Sequence, residues 1–276
     1  MENRAVKVLF EHLMVEAALY YGVRDAEYLW KVSNDWIKGT FSSNQRYAEM
    51  EEFIGLGIGY GTRILDMACG CGNFVFNGLN RGIDVRGIDP CEWKHRIIDL
   101  VMHEMPFPRK WAGQFDVGFG ENLPYPDEHF DLVSTCQTLE HVGDVKKCVS
   151  EMLRVLKKGG TMFIRAPDYR GSYEKHYWLP WFPRHRKFTM AYLKAKKRPT
   201  IGYEILKEIT LPEIKKYIYS LGYKTVDLDE EKVKKKLHFL PKKVASSCAS
   251  LYKFSVLVKS RLFFKEMGMN LAVLKT

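Results

Sequence analysis

The sequence predicts an α/β fold, in which a seven-stranded, mainly parallel sheet carries helices on both faces. Short apolar runs alternate with stretches of helical period along most of the 276 residues. Two of these runs end in a carboxylate, at Asp66 and Asp89, and a Gly-x-Gly turn follows the first of them. Alternating strands and helices favour a parallel sheet, because parallel strands need a crossover connection that is usually a helix.

The N-terminal part of the chain, residues 1–54, is predicted to be helical. Its apolar residues recur at helical spacing, as Val6, Leu9 and Leu13 do near the start. We expect these helices to form a cap over the mouth of a ligand site in the sheet.

The most informative segment is 63–74, R-I-L-D-M-A-C-G-C-G-N-F, in which an apolar strand reaches Asp66 and then breaks into a turn. Gly70-x-Gly72 opens the next helix, and a turn of this kind presents backbone N–H groups to a nucleotide-like cofactor. A dinucleotide fingerprint would need a third glycine three residues after Gly72, where this chain has Val75. The motif therefore argues against NAD.

The following elements continue the alternation of strand and helix. A second strand at 84–88 leads into the second carboxylate, which lies where the ribose hydroxyls of a bound nucleoside would be. A third strand is predicted at 115–119. A helix over about 145–156 is expected to stop at Gly159 and Gly160, ahead of a fifth strand.

The C-terminal part is predicted to leave the sheet and return to it. T-L-P-E at 210–213 is a capping box with proline near the helix start, and the helix is expected to stop at Gly222. The last two strands are predicted at 223–228 and 270–274. A Lys-rich amphipathic segment that includes 244–264 lies between them.

Three segments together resemble the class I S-adenosylmethionine (SAM)-dependent methyltransferases of type 11, the family that includes the ubiquinone and menaquinone methyltransferases. They are Asp66-x-x-x-Gly70-x-Gly72, G-E-N-L-P-Y-P-D-E-H-F-D-L-V at 120–133 and T-L-E-H-V at 138–142. The resemblance covers roughly residues 50–168. It implies a Rossmann-like sheet, SAM as the cofactor and methyl transfer as the activity.

The resemblance also implies a role for each matching residue. Gly70 and Gly72 let the backbone approach the methionine part of the cofactor, and Asp66 reaches its amino group. Asp89 accepts hydrogen bonds from the ribose. The residues that border the adenine are Gly120, Glu121 and Asn122.

Two positions depart from the pattern of the family. Ala68, which we include among the cofactor-binding residues, stands at the first glycine of the family motif. Phe119 stands where many members carry an acidic residue that contacts the adenine amino group. The second departure weakens the adenine assignment more than the first.

Three side chains are candidates for the general base that a hydroxyl acceptor would need. His141 follows the fourth strand, Asp168 follows the fifth, and His176 lies in the segment after it. Ligands bind at the carboxyl ends of the strands in open α/β sheets, so all three lie on the expected side. For His141 the alternative is a role in ordering its loop, for His176 a structural or solvated role, and for Asp168 the start of a turn.

The charge of the chain is divided unevenly. Residues 1–158 carry a net charge of −5 and residues 159–276 a net charge of +15. A basic half indicates an acidic partner or a Lys-rich solvated surface, and the sequence leaves both open.

We divide the chain into an N-terminal helical cap (1–54), a SAM-binding core (55–168), a substrate-side insert or lid (169–204) and a C-terminal part of the sheet with the basic amphipathic segment (205–276).

The acceptor is expected to be a small molecule, a glycan or a lipid-linked or nucleotide-linked sugar. The insert mixes aromatic and basic side chains, which suit a ring bearing an anionic group. The fourth strand ends in T-C-Q-T and lacks the Asn/Asp-Pro-Pro-aromatic motif of adenine amino-methyltransferases. Nucleic acid is therefore the less favoured acceptor.

The alternative functions are an RNA methyltransferase and a non-catalytic SAM-binding scaffold that docks on a partner or on an anionic membrane. The aromatic and basic residues of the insert include Tyr177, Trp178, Trp181, Phe182, Arg184, Arg186 and Lys187.

The six cysteines show no paired metal-ligand spacing, so we expect no metal site and a reducing, cytoplasmic location. No signal peptide and no apolar run near 18 residues is visible, so contact with a membrane would be peripheral. The sequence leaves the oligomeric state open.

Overall fold

The computed structural model describes residues 3–37, 43–55, 57–180, 185–263 and 267–275. Seven of the described strands form one sheet in the order β3-β2-β1-β4-β5-β9-β8, and β9 runs antiparallel to its neighbours. The predicted fold class is confirmed. The strands are β1 (Arg63–Met67), β2 (Asp84–Asp89), β3 (Phe115–Val117), β4 (Phe130–Cys136), β5 (Leu156–Pro167), β8 (Lys224–Asp227) and β9 (Gly268–Leu274), and a separate hairpin consists of β6 (Tyr173–Glu174) and β7 (Leu179–Pro180).

Helices cover both faces of this sheet. Neighbouring residues of β1 point to opposite faces, as period two requires, so that Leu65 joins one buried apolar cluster and Ile64 another. The helices are α1 (Arg4–Glu16), α2 (Ala26–Ile37), α3 (Ser43–Ile54), α4 (Asn73–Asn80), α5 (Glu92–Glu104), α6 (Val145–Val155), α7 (Arg186–Ala195), α8 (Ile201–Ile205), α9 (Leu211–Ser220), α10 (Leu228–Lys236) and α11 (Lys242–Phe263).

The predicted helix stop at Gly159 and Gly160 is wrong. Helix α6 ends at Val155, and both glycines lie inside β5, where the pairing with β4 shifts register. Gly159 has a φ of +77° and its N–H donates to the carbonyl oxygen of Lys275 at 2.6 Å. A Cβ atom on Gly160 would lie 2.7 Å from the carbonyl oxygen of Asp131. The two glycines therefore allow the irregular backbone of β5 where its pairing with β4 shifts register.

The capping box of α9 also differs from the expected form. The Thr210 hydroxyl donates to the Glu213 carboxylate at 2.7 Å and accepts no hydrogen bond from the helix backbone. The helix ends at Ser220, and Gly222 follows with a φ of +86°. The predicted C-terminal strands and the amphipathic helix between them are confirmed, with bounds that differ by a few residues.

The N-terminal helices pack onto the part of the sheet that carries the glycine turn. Leu9 of α1 is buried against Ile97 of α5. From α3, the Tyr47 ring stacks on Phe74 of α4, with centroids 4.2 Å apart, and its hydroxyl donates to the carbonyl oxygen of the same residue. These helices lie next to the motif, where the sequence predicts a cap.

The insert is joined to the N-terminal segment by hydrogen bonds. The Arg198 guanidinium donates to the carbonyl oxygens of Tyr21 and Gly22, which lie between α1 and α2. Tyr177 is fully buried, and its hydroxyl donates to the carbonyl oxygen of Pro199 at 3.0 Å. Trp181, Phe182 and Arg184 lie outside the described residues.

None of the described helices is both long and apolar enough to span a bilayer.

Candidate active site

The turn between β1 and α4 is built from residues in left-handed backbone conformations. The φ angles are +60° at Ala68, +59° at Gly70 and +80° at Gly72. Glycine adopts this region without the steric cost of a Cβ atom, which explains why the related motif prefers glycine where this chain has Ala68. The turn thus holds the backbone in the tight form that the sequence indicated.

The two motif glycines have different surroundings. A Cβ atom on Gly70 would meet no described atom within 4 Å, so this residue faces open space. A Cβ atom on Gly72 would lie 2.6 Å from Cε1 of Phe115, the first residue of β3. Gly70 therefore leaves room for a ligand, whereas the need for glycine at position 72 comes from packing within the protein.

Asp66 lies at the end of β1 and forms a buried ion pair with Arg46 of α3. The side chains are 2% and 10% exposed, respectively. Arg46 also donates to the Ser134 hydroxyl of β4 at 2.6 Å, and its Cζ atom lies 3.9 Å from the centroid of the Phe74 ring. Burial raises the pKa of Asp66, and the guanidinium opposes that shift. Arg46 was not predictable from the sequence, because nothing in its local pattern connects this helix to the end of a strand twenty residues later.

Asp89 is completely buried at the end of β2. Its carboxylate accepts from the N–H groups of Gly70 and Cys91, each at 3.0 Å, and from the Lys94 ammonium at 3.2 Å. A ribose hydroxyl would have to share this carboxylate with its present donors or replace one of them. Of these donors, the Lys94 side chain is 30% exposed.

The predicted adenine-binding segment has both an apolar and a polar part. At the end of β3, Val117 is 62% and Phe119 is 65% exposed, which leaves an uncovered apolar surface. The carboxylate of Glu121 accepts from the N–H groups of Gly143 and Asp144 at 2.8 and 3.2 Å, so it orders the loop before α6. Asn122 is exposed, and a Cβ atom on Gly120 would lie 2.6 Å from Sδ of Met67.

Beyond the end of β4, the structure brings Glu140, His141 and His176 together. One carboxylate oxygen and one nitrogen of each imidazole all lie within 4.8 Å of one another. The two imidazole rings are 5.0 Å apart and nearly perpendicular. His141 and His176 were separate candidates in the sequence, and their proximity becomes visible only in the fold.

His176 is oriented by its neighbours. Its Nδ1–H group donates to the buried carboxylate of Glu174 at 2.7 Å, and its ring stacks on Tyr21 with centroids 5.1 Å apart. Burial alone would lower the pKa of His176, but the hydrogen bond and charge of Glu174 outweigh it and raise that pKa.

The other two members of the cluster have strongly shifted pKa values. Burial raises the pKa of Glu140 to about 7. Burial lowers the pKa of His141 to about 3, and the charges of His176, Lys94 and Lys175 act in the same direction. His141 is therefore a neutral imidazole at neutral pH, able to accept a hydrogen bond and unable to act as an acid.

Asp168, the third candidate base, has its own partner. The side chain is buried, and Nε of Arg170 donates to its two oxygens at 3.0 and 2.9 Å. The Asp168 carboxylate is therefore already engaged by a guanidinium. His141 and His176 thus lie together in one cluster, whereas Asp168 is paired with Arg170.

The turn fits the cofactor that the motif implies. The open space at Gly70 can take the methionine part of SAM, Asp89 lies at the strand end where the ribose belongs, and the exposed rim of β3 offers an apolar surface to the adenine. Arg46 adds a buried cation that the cofactor's carboxylate could pair with.

The central part of the chain is similar to known methyltransferases. A family model described as a methyltransferase domain matches residues 65–164. Norajmaline N-methyltransferase from Rauvolfia serpentina is 33% identical over 108 residues, which are 39% of this chain and 36% of that protein. Demethylmenaquinone methyltransferase from Renibacterium salmoninarum is 33% identical over 104 residues, which are 38% of this chain and 40% of that protein. The chain thus matches well under half the length of either relative.

Solved structures show the same fold. The phosphoethanolamine N-methyltransferase 2 of Haemonchus contortus, solved with phosphomonomethylethanolamine and S-adenosylhomocysteine, has a TM-score of 0.51 at 16% identity and covers 84% of this chain and 52% of its own. The YcgJ protein of Bacillus subtilis has a TM-score of 0.50 at 15% identity and covers 83% of this chain and 98% of its own. Residues 65–164 thus match a methyltransferase domain, and the strand order around them agrees with the fold of these solved structures.

Proposed function

We propose that this protein transfers the methyl group of SAM to a hydroxyl of a small, sugar, nucleotide-linked or lipid-linked acceptor. The observation that carries the proposal is the placement of two sites at one edge of the sheet. The open turn at Gly70 follows β1, and the histidine cluster follows the adjacent strand β4.

The cofactor supplies an electrophilic methyl group on a sulfonium. What the chain must supply is position, because holding the reactants in line contributes about 7–11 kcal/mol of barrier reduction. Asp89 and the turn would hold the nucleoside, and Arg46 would hold the charged end of the methionine part. The aromatic contact between Tyr21 and His176 closes the site on the side of the N-terminal helices.

On the acceptor side, His141 is the group with a free imidazole nitrogen at the surface. Its side chain is 34% exposed and its pKa is lowered to about 3, so it is neutral and can accept a hydrogen bond from an acceptor hydroxyl. Glu140 lies behind it, with Nε2 of His141 and one Glu140 oxygen 3.8 Å apart. Because burial and the neighbouring cations disfavour the charged imidazole, His141 would orient the acceptor hydroxyl by accepting its hydrogen bond.

Lipid-linked acceptors are supported by the surface of α11. Leu251 and Phe254 are 65% and 64% exposed on this helix, and Lys242 and Lys243 are exposed in its first turn. A helix with exposed apolar and basic side chains can lie in the surface of an anionic membrane. We therefore propose peripheral membrane contact as part of the function.

The decisive experiment is a transfer assay with isotopically labelled SAM and a lysate divided into small-molecule, glycan, lipid and RNA fractions. We expect label in a small-molecule, glycan or lipid product, and degradation of that product should locate the methyl group on oxygen. Asp89→Asn should abolish transfer, whereas Asp84→Asn, at the opposite end of the same strand, should retain it.

Two other functions are outcomes of the same assay. The net charge of +15 over residues 159–276 favours RNA as the second candidate acceptor. RNA recognised through six to ten phosphate contacts would lose binding by about 10³–10⁵ between 50 and 200 mM salt, and label would enter the RNA fraction. Tight SAM binding with no transfer to any fraction would instead indicate a scaffold protein.

A further inference from the structure

The Glu140 carboxylate is buried without a hydrogen-bond partner among the described residues. The residue is 0% exposed, and no described residue donates a hydrogen bond to either of its two side-chain oxygens. A buried carboxylate in an apolar surrounding costs several kcal/mol unless a positive charge or hydrogen-bond donors compensate it. The nearest groups able to compensate it share its cluster, and both are imidazoles.

Imidazoles in this arrangement can serve as metal ligands. Nδ1 of His176 is committed to Glu174, so the lone pair of His176 is on Nε2. A carboxylate that fixes a histidine in this way is the usual outer partner of a metal-binding imidazole. The structure therefore supplies both the ligand atom and the group that orients it.

The spacing of the cluster suits one ion. Nε2 of His141 and Oε1 of Glu140 are 3.8 Å apart. Two ligands bonded at about 2.0–2.2 Å to one ion can be separated by no more than about 4.4 Å, so this pair fits without rearrangement. All three ligand atoms lie within 4.8 Å of one another, so any pair wider than this limit exceeds it by only a few tenths of an ångström.

We propose that Glu140, His141 and His176 bind a divalent first-row transition-metal ion such as Zn²⁺, Mn²⁺, Fe²⁺ or Co²⁺. Two imidazoles and one carboxylate are the donor set that these ions take, and three protein ligands leave a coordination position open. Because His141 is at the surface and Glu140 is buried, the open position faces the side from which an acceptor enters.

The charges around the cluster permit this ion. Glu140 and Glu174 provide two negative charges next to the ligand atoms. The Lys175 ammonium is turned to the side-chain oxygen of Gln137 at 2.8 Å, and Lys94 is paired with Asp89. Both cations are thus held by other groups.

One consequence rests on the proposed function. A hydroxyl bound at the open position ionises at lower pH, because the cation stabilises the alkoxide, and its proton passes to solvent. His141 then acts as a metal ligand and no longer accepts the hydrogen bond of the hydroxyl. The ion would give the site a preference for acceptors whose hydroxyl can reach it.

Metal binding can be measured without SAM or acceptor. Untagged protein, stripped with a chelator, is titrated with Co²⁺ and followed by calorimetry and visible absorption. We expect one Co²⁺ per chain and no thiolate charge-transfer band. Glu140→Gln and His176→Ala should each lower the affinity at least about 100-fold, and Glu174→Gln about 10–100-fold, since outer partners of ligands have effects of that size. His103→Ala, an exposed histidine of α5, is the control and should bind as the wild type does.

SAM affinity of each variant, measured in the same way, shows that the protein is folded. If Glu140→Gln fails this check, His176→Ala, a less buried position, decides the question. Binding that survives both substitutions, binding that shows the thiolate band, or no stoichiometric binding would overturn the metal site. Each of these outcomes leaves the SAM titration and the transfer assay unaffected, so they do not test the proposed function.

Discussion

Replacing Arg46 by methionine should destabilise the protein through Asp66, which lies on a different element. The substitution keeps most of the apolar stem and removes the guanidinium that pairs with the buried carboxylate. It also removes the hydrogen bond to Ser134 and the contact with the Phe74 ring. Asp66 is then left buried, without its charge partner, at the end of β1.

The size of the effect follows from the burial of both partners. Removing one member of a buried ion pair costs about 3–5 kcal/mol, because the remaining charge is uncompensated. For a domain of this size, each kcal/mol lowers the melting temperature by about 2–4 °C, so we expect a fall of roughly 6–20 °C. The control is Arg63→Met, whose partner Asp84 lies 3.9 Å away with both side chains about half exposed. Exposed pairs of this kind contribute about 0–1 kcal/mol.

The assay is thermal and denaturant unfolding of both variants at pH 7, with the double variant Arg46→Met/Asp66→Leu as a third sample. Removing both charges should recover much of the lost stability, since apolar replacement of a buried pair is often neutral. Equal losses for Arg46→Met and Arg63→Met would refute the reasoning. A double variant that recovers none of the stability lost in Arg46→Met would refute it as well.

Three further predictions concern the cofactor, pH and membranes. Gly70→Ala should lower SAM affinity at least tenfold in calorimetry, whereas Gly82→Ala, which has a φ of +77° and equally open surroundings away from the motif, should leave affinity unchanged. The pKa of Glu151 is lowered by hydrogen bonds from Arg154, so its contribution is complete above the unfolded value of about 4.3 and is lost as pH falls through the folded value. Glu151→Gln should therefore cost about 1 kcal/mol in unfolding at pH 7 and progressively less below pH 4. Wild-type protein should sediment with vesicles of anionic phospholipid and not with neutral ones, and Leu251→Ser/Phe254→Ser should reduce that sedimentation severalfold; equal sedimentation of the two proteins would count against membrane contact.

The sheet and the glycine turn were predictable because their signals are local. A strand, a carboxylate and Gly70-x-Gly72 occupy one short segment, and backbone sterics alone dictate what the turn does. The stop at Gly159 was mispredicted for a tertiary reason: the glycine is needed where β5 changes register against β4, and that pairing is not visible in the sequence of either strand. The rules for helix ends therefore recognised that glycine is needed at this position, but they assigned it to the end of a helix instead of to the register shift within β5.

The site was only partly predictable, because its contacts join distant segments. Arg46 reaches the end of β1 from a helix that precedes it, and His176 reaches Glu140 from the segment that follows β5. Neither contact requires a fixed number of residues between its partners, so it cannot be recognised in a single sequence. The shifted pKa values of Glu140 and His141 depend on burial, so they too follow only once the packing is known.

The position of β9 has a consequence for how the sheet is made. Although β9 is the last of the described strands along the chain, it lies inside the sheet between β5 and β8. As the chain leaves the ribosome, the five preceding parallel strands can assemble while β5 still presents an open edge, and β8 has no neighbour to pair with. Until residues 268–274 arrive, that edge is exposed to other chains, and an exposed edge is a site for aggregation. Chaperone engagement during synthesis should therefore be concentrated on β5 and end when the antiparallel strand is inserted.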